Sequence, residues 1–296
     1  MRATTIALLV GIAAGFGFAH AEEERPPIRM ELVPPQPSGG PASVLMEVTQ
    51  GLPVIDVMMN GRGPFKFAVD TGASGQVHVS AALQVKLGLV QVGEARAADG
   101  SGQNVRHVPL VAIDGIAIGN AVFHKVTGAV TSPRNGVIDG VIGMGLLRDY
   151  LLTLNYPRKA FMLEQGALPP ADGKHVFDYQ PGRSIIIPVK VGDVEIPTHL
   201  DTGNARHPFI VAADLVPRLA TRGEPRAIGQ AHTISNTVDM FAVNVTAPVR
   251  VGDVTLPIKE ISYPTVAPGG NLGTLALLGV VLRVDQKNHR VSLTTP

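Results

Sequence analysis

Two aspartates in this sequence share one setting. Asp70 ends the run Phe65-Lys66-Phe67-Ala68-Val69 and is followed by Thr71-Gly72-Ala73-Ser74, while Asp201 ends Ile196-Pro197-Thr198-His199-Leu200 and is followed by Thr202-Gly203-Asn204. One Asp-Thr-Gly says little, because Asp and Gly are ordinary turn residues. Two copies, each closing an apolar strand, raise the question of what two carboxylates could do together. Like charges a few ångströms apart cannot both ionise, so such a pair would share one proton. The ionised member could take a proton from a water, and the protonated member could donate to a carbonyl oxygen as it gains negative charge. The neighbours suit that use. Gly72 and Gly203 let the backbone turn tightly and bring an N–H to the carboxylate. Thr71 and Thr202 offer hydroxyls able to hydrogen-bond across to the opposite half.

For the two aspartates to meet, each must be delivered on a strand end. Leu52 to Met59, the turn Asn60-Gly61-Arg62-Gly63-Pro64, and Phe65 to Val69 read as a hairpin whose second strand ends in Asp70. Ala81 to Leu87 reads as a short helix stopped by Gly88. Asp99, Gly100, Ser101 and Gly102 form a turn-rich tip, with strands expected over 108–113 and 116–126 after it. That tip could fold over a cleft as a flap; a plain surface hairpin fits it equally. The run Asp139-Gly140-Val141-Ile142-Gly143-Met144-Gly145 then closes the first half, with a short helix expected over 146–150. In the second half, 184–191 and 194–200 lead to Asp201 in the same manner. Asp201 follows Asp70 by 131 positions, Gly273 follows Gly143 by 130, and Asp285 follows Asn155 by 130. Features spread over each half thus keep one register, which implies two copies of one β-rich unit.

The rest of the chain bounds this reading. Its 296 residues, 45% hydrophobic and 17% charged, suffice for two packed units and argue against wholesale disorder. A net charge of +1 gives no reason to expect nucleic acid as a partner. Short Val, Ile, Leu and Thr runs between 33 Gly and 24 Pro favour an all-β fold. Arg2, the apolar stretch from Ile6 to Phe18 and Ala19-His20-Ala21 have the form of a signal peptide, too short to span a membrane comfortably. Export to the periplasm or beyond is expected, without stable membrane insertion. No cysteine is present, so disulfides and thiolate metal sites are excluded. The expected division is a signal peptide at 1–21, a Pro-rich linker at 22–43, lobes at 44–168 and 184–296, and an inter-lobe linker at 169–183.

Taken together, Asp70-Thr71-Gly72-Ala73-Ser74, Asp201-Thr202-Gly203 and the Asp139–Gly145 run resemble the pepsin/retropepsin clan of aspartic peptidases. The likeness is greatest to exported bacterial members with two retropepsin-like halves, and it extends over roughly 44–296. Leu272-Gly273-Thr274 is the weaker second-half counterpart of the Asp139–Gly145 run. The resemblance implies two pseudo-symmetric closed-barrel lobes with a cleft between them and Asp70 and Asp201 at its floor. It further implies hydrolysis of a peptide or protein substrate; no cofactor is expected, and a monomer is expected because one chain holds both halves.

Two features depart from the family pattern. Asn204, followed by Ala205 and Arg206, stands where Ser, Thr or Ala is usual, and a nearby Arg would favour an ionised Asp201. The flap candidates include no aromatic, as in retropepsins. A catalytically inactive peptide-binding protein with the same fold is therefore the alternative. Asp139 reads as structural, with Gly269 at its place in the second half. His199 reads as a packing or rim residue, and the spacing of His199 and His207 matches no metal motif, so no metal is assigned.

Overall fold

The computed structural model describes residues 5–8, 34–97, 106–131, 137–181, 184–232, 237–265 and 269–296. The flap candidates Asp99, Gly100, Ser101 and Gly102 lie outside them, as do most of the expected signal peptide and the first part of the Pro-rich linker. The first-half strands are β1 (Thr5–Leu8), β2 (Gln36–Gly39), β3 (Ala42–Thr49), β4 (Leu52–Met59), β5 (Arg62–Asp70), β6 (Val77–Ser80), β7 (Gln91–Ala97), β8 (Arg106–Ile118), β9 (Ala121–Thr131), β10 (Gly140–Gly143), β11 (Leu151–Asn155) and β12 (Ala160–Glu164). One helix, α1 (Ala81–Leu87), follows β6. Then come β13 (Val176–Asp178), β14 (Ile186–Val191), β15 (Val194–Asp201), β16 (Phe209–Ile210), β17 (Thr221–His232), β18 (Thr237–Val245), β19 (Val249–Val251), β20 (Val254–Leu256), β21 (Glu260–Pro264), β22 (Gly270–Gly273), β23 (Val281–Asp285) and β24 (Arg290–Thr294). The protein is nearly all β.

In the first half the neighbours run β4-β5-β10-β6-β9-β8, and β8 pairs back onto β4 through Met58 with Ala117 and Met59 with Ile116. Those six strands return on themselves. Alternation explains β5 within this ring: Phe65, Phe67 and Val69 are buried, while Lys66 points outward to Asp56. The second half repeats the neighbour order as β14-β15-β22-β16-β21-β18, and β19 pairs back onto β14. Here the returning strand is interrupted. Thr246, Ala247 and Pro248 separate β18 from β19, and Pro248 has no N–H to give a ladder.

The two halves meet in a further set of strands, β3-β12-β11-β23-β24-β13. Leu151–Asn155 lies antiparallel to Val281–Asp285, so the C-terminal strands join a sheet begun by the first half. The core follows this continuity, and Phe67, Phe161, Phe209 and Leu282 are fully buried in one apolar cluster. Both expected linkers therefore contain structure. In 22–43, Gln36–Gly39 pairs with Ala121–His124 as an exposed strand, and Ala42 is buried at the start of β3. In 169–183, Val176 and Phe177 are buried on β13 against β24, where apolar pressure outweighs the surrounding prolines. The expected helix over 146–150 is instead a chain of turns, with Leu146, Leu147 and Tyr150 N–H each bonded three residues back. Among the described residues no helix is long and apolar enough to cross a membrane.

Candidate active site

Asp70 and Asp201 both end a strand that has a parallel glycine-bearing neighbour. Gly143 on β10 stands beside Asp70, and Gly273 on β22 stands beside Asp201. Glycine is required there by space. A Cβ on Gly143 would lie 2.7 Å from the carbonyl oxygen of Gly75, and one on Gly273 would lie 2.5 Å from the carbonyl oxygens of Asn204 and His207. Each turn after an aspartate thus folds directly over the glycine of the next strand.

Within each turn the hydrogen bonds are the same. Gly72 and Ala73 N–H donate to Asp70 Oδ1 at 2.7 and 3.1 Å, and Gly203 and Asn204 N–H donate to Asp201 Oδ1 at 3.0 and 3.1 Å. The turns are then tied to each other. Thr71 N–H donates to Thr202 Oγ1 at 2.9 Å, and Thr202 N–H donates to Thr71 Oγ1 at 3.0 Å. Each hydroxyl donates onward to the opposite half, Thr71 to the Leu200 carbonyl at 2.8 Å and Thr202 to the Val69 carbonyl at 2.7 Å. Both threonines are buried, so these four bonds are shielded from water.

This clasp brings the carboxylates together. The point where a side chain on Gly72 would begin lies 2.8 Å from Asp201 Oδ1 and 3.2 Å from Asp70 Oδ1. A side chain on Gly203 would run into the Asp70 carboxylate. Each glycine packs against the acid of the other half, and neither has a positive φ. Room for close approach, and not an unusual backbone conformation, is what these positions demand.

Of the expected site residues, Asp70, Asp201, Thr71, Gly72, Thr202 and Gly203 converge. Ser74 contributes its carbonyl, which accepts from His78 Nε2 at 2.9 Å. Arg206 is exposed, and among the described residues no ion pair joins it to Asp201; its charge acts on His207. Asp139 has a backbone role, since its Oδ2 accepts Lys66 N–H at 2.8 Å.

Sequence reasoning missed Asn271. Its Nδ2 donates to Asp201 Oδ2 at 2.8 Å, and its Oδ1 accepts from Asn204 Nδ2 at 2.8 Å. The available signal was a break in the repeat, an amide before Leu272-Gly273 where the first half has Val141. Gln76 was also passed over, and His207 was weighed only for its spacing to His199. Gln76 Oε1 accepts Thr127 N–H at 2.8 Å, and His207 Nδ1 and Ser262 Oγ lie 3.0 Å apart, so each ties its turn to a neighbouring strand.

Three imidazoles surround the site, all held below the usual histidine range. Burial is the main cause for His78, His199 and His207; the Ser74 carbonyl and the Asp201 charge oppose it at His78 and His199 respectively. His199 Nε2 is buried and meets no protein partner among the described residues. Among those residues no group of three His, Cys, Asp or Glu side chains is placed to hold a metal.

Comparison with known proteins agrees with the chemistry of the first half. A family model described as aspartyl protease matches residues 55–146, which include Asp70 and the Asp139–Gly145 run. No curated protein matches the chain. Among solved structures, the chain is similar to a retropepsin-like aspartic protease from Rickettsia conorii, at 20% identity and a TM-score of 0.33 over 44% of this chain and 95% of that one. Residues 55–146, with Asp70 and the Asp139–Gly145 run among them, are thus similar to the aspartyl protease family.

Proposed function

We propose that the protein is an exported aspartic endopeptidase of retropepsin-like type, in which Asp70 and Asp201 share one proton and activate a water. On this reading, 44–168 and 184–296 are pseudo-symmetric closed-barrel lobes, each supplying one acid to the cleft between them. The repeated strand order and the clasp between the two turns support it. A peptide or protein substrate would lie extended in the cleft. One chain holds both halves, which favours a monomer, and the leader at 1–21 favours the periplasm or medium.

The chemistry balances without a cofactor. The ionised acid removes a proton from the water as its oxygen bonds to the scissile carbonyl carbon, and the protonated acid gives its proton to the carbonyl oxygen. The acid that took the water's proton then protonates the leaving nitrogen. The C–N bond breaks, a hydroxyl proton of the intermediate returns to the other acid, and one shared proton remains. Proton sharing by an aspartate pair is the established device of aspartic proteases; what this chain adds is how Thr71 and Thr202 hold its two acids face to face.

That clasp is the observation carrying the proposal. Asp70→Asn and Asp201→Asn, assayed separately on peptide mixtures from acid to neutral pH, are each expected to lower kcat/KM on the order of 10³-fold. Full activity in both variants would overturn it. Peptide affinity in the unaltered protein without cleavage at any pH would favour the inactive binding protein.

A further inference from the structure

The strand faces that carry Asp70 and Asp201 are finished differently in the two halves. In β15 the buried Ile196, Thr198 and Leu200 alternate with Pro197, His199 and Asp201. His199 therefore shares a face with Asp201, two residues or roughly 7 Å before it. Strand register widens that face: Ile186 on β14 and Asn271 on β22 lie beside His199, and Ile210 on β16 lies beside Asn271. In the first half the corresponding row is Val54, Ala68, Val141 and His78. There the protein closes over its own face. Val54 and Ala68 are buried with Leu52, Ile138 and Ala205 in a small apolar cluster, and Val141 packs against it. In the second half the row stays open: Ile186 is 39% exposed, and His199, Asn271 and Ile210 are partly exposed.

The amide of Asn271 is taken up by Asp201 and Asn204, whereas His199 Nε2 meets no partner among the described residues. An unpaired imidazole beside open apolar surface suits a side chain with an apolar stem and a hydrogen-bonding end. A carboxylate there would meet the charge of Asp201, which already acts on His199. A neutral amide meets no such repulsion, and its C=O and NH₂ match the donor and acceptor nitrogens of a neutral imidazole. We propose that Ile186, His199 and Ile210 line a specificity subsite for a substrate side chain next to the scissile bond, with His199 hydrogen-bonding the amide of an Asn or Gln. The proposal rests on the proteolytic reading for the place of that bond. Only one half carries the subsite, because Leu52, Ile138 and Ala205 fill the corresponding place in the other. Selection therefore falls on one of the two residues flanking the bond.

The test gives the unaltered protein, His199→Leu and His199→Gln peptide mixtures randomised at both flanking positions, with the products read by mass spectrometry. The unaltered protein is expected to favour Asn or Gln over Leu at one flanking position by roughly tenfold in kcat/KM, and not at the other. His199→Leu should reverse that order at the same position, while His199→Gln, which keeps a donor and an acceptor, should retain it. Amide preference at neither position or at both overturns the proposal. So does an unchanged profile in His199→Leu, or a loss of rate equal for all peptides. Should His199→Leu not fold, the profiles of the unaltered protein and of His199→Gln decide. Failure of the proteolytic reading would look different: the unaltered protein would cut no peptide. Asn- and Leu-bearing peptides are then compared by calorimetric affinity. Tighter binding of the Asn peptides, lost in His199→Leu, supports the subsite; equal or absent binding overturns it.

Discussion

Thr71 and Thr202 each use a backbone N–H and a hydroxyl to reach the other half of the chain, at 4% and 0% exposure. Removing one hydroxyl therefore strands two partners at once, an N–H and a carbonyl, where no water compensates. Each buried unpaired group costs about 1–3 kcal/mol. Thr202→Val keeps the volume and is expected to lower the unfolding free energy by about 3 kcal/mol, whereas Thr202→Ser, which keeps the hydroxyl, should cost less than about 1 kcal/mol. Denaturant unfolding measures both, and equal midpoints for Val and Ser would show that the clasp contributes little. At this scale the threonines and aspartates were legible, because their use follows from side-chain chemistry. Asn271 was not, since an asparagine before Leu272-Gly273 acquires meaning only when Asp201 lies within 2.8 Å of it.

Among the elements, β10 and β22 act as backstops for the two turns. Alanine at Gly273 would press on two carbonyl oxygens at 2.5 Å, and alanine at Gly143 on one at 2.7 Å, with backbone atoms that cannot swing aside. Overpacking of this kind costs about 1–3 kcal/mol. Gly273→Ala is expected to be the more damaging, in melting temperature and in peptidase activity together. A melting temperature unchanged by Gly273→Ala would mean that the turn does not rest on β22. The sequence was most readable where an element carries its own end signals. In α1, Ser80 Oγ caps Leu83 N–H at 3.0 Å and Gly88 takes a left-handed φ of 63°, as the Gly after Leu87 implied. It was least readable at Asp114-Gly115. Separate strands were expected over 108–113 and 116–126, yet β8 runs through to Ile118 and the chain reverses at Gly119-Asn120. Asn60 explains this: its N–H donates to the Gly115 carbonyl at 2.8 Å and its Oδ1 accepts Gly115 N–H at 3.1 Å. A partner 55 residues away keeps that glycine extended.

Over the whole molecule, the sheet shared by β11 and β23 and the continuous apolar core make the two halves one cooperative body. His78, His199 and His207 are part of it, each depressed below the ordinary value of 6.5, mainly by burial. Because the folded form holds these protons less tightly than the unfolded chain, stability is complete above about pH 6.5 and falls as the pH drops below it. Each imidazole contributes a slope of at most about 1.4 kcal/mol per pH unit. A melting temperature that declines between about pH 7 and pH 5, less steeply in His78→Gln, is the expected result. A flat profile over that range would show that the three rings are wetter than their surroundings imply.

The sequence by itself determined the two Asp-Thr-Gly turns, their common register and the ends of the helix, because each depends on residues adjacent in the chain or on a repeat that can be counted. Only the tertiary structure decided that glycine at 72 and 203 is demanded by the facing carboxylate, that Pro248 interrupts the returning strand of the second half, that both expected linkers contribute strands, and that an asparagine chain reaches Asp201. The reason is physical. Strand pairing sets contacts between residues 70 or 131 positions apart, and no local propensity encodes which side chain then lies beside which acid.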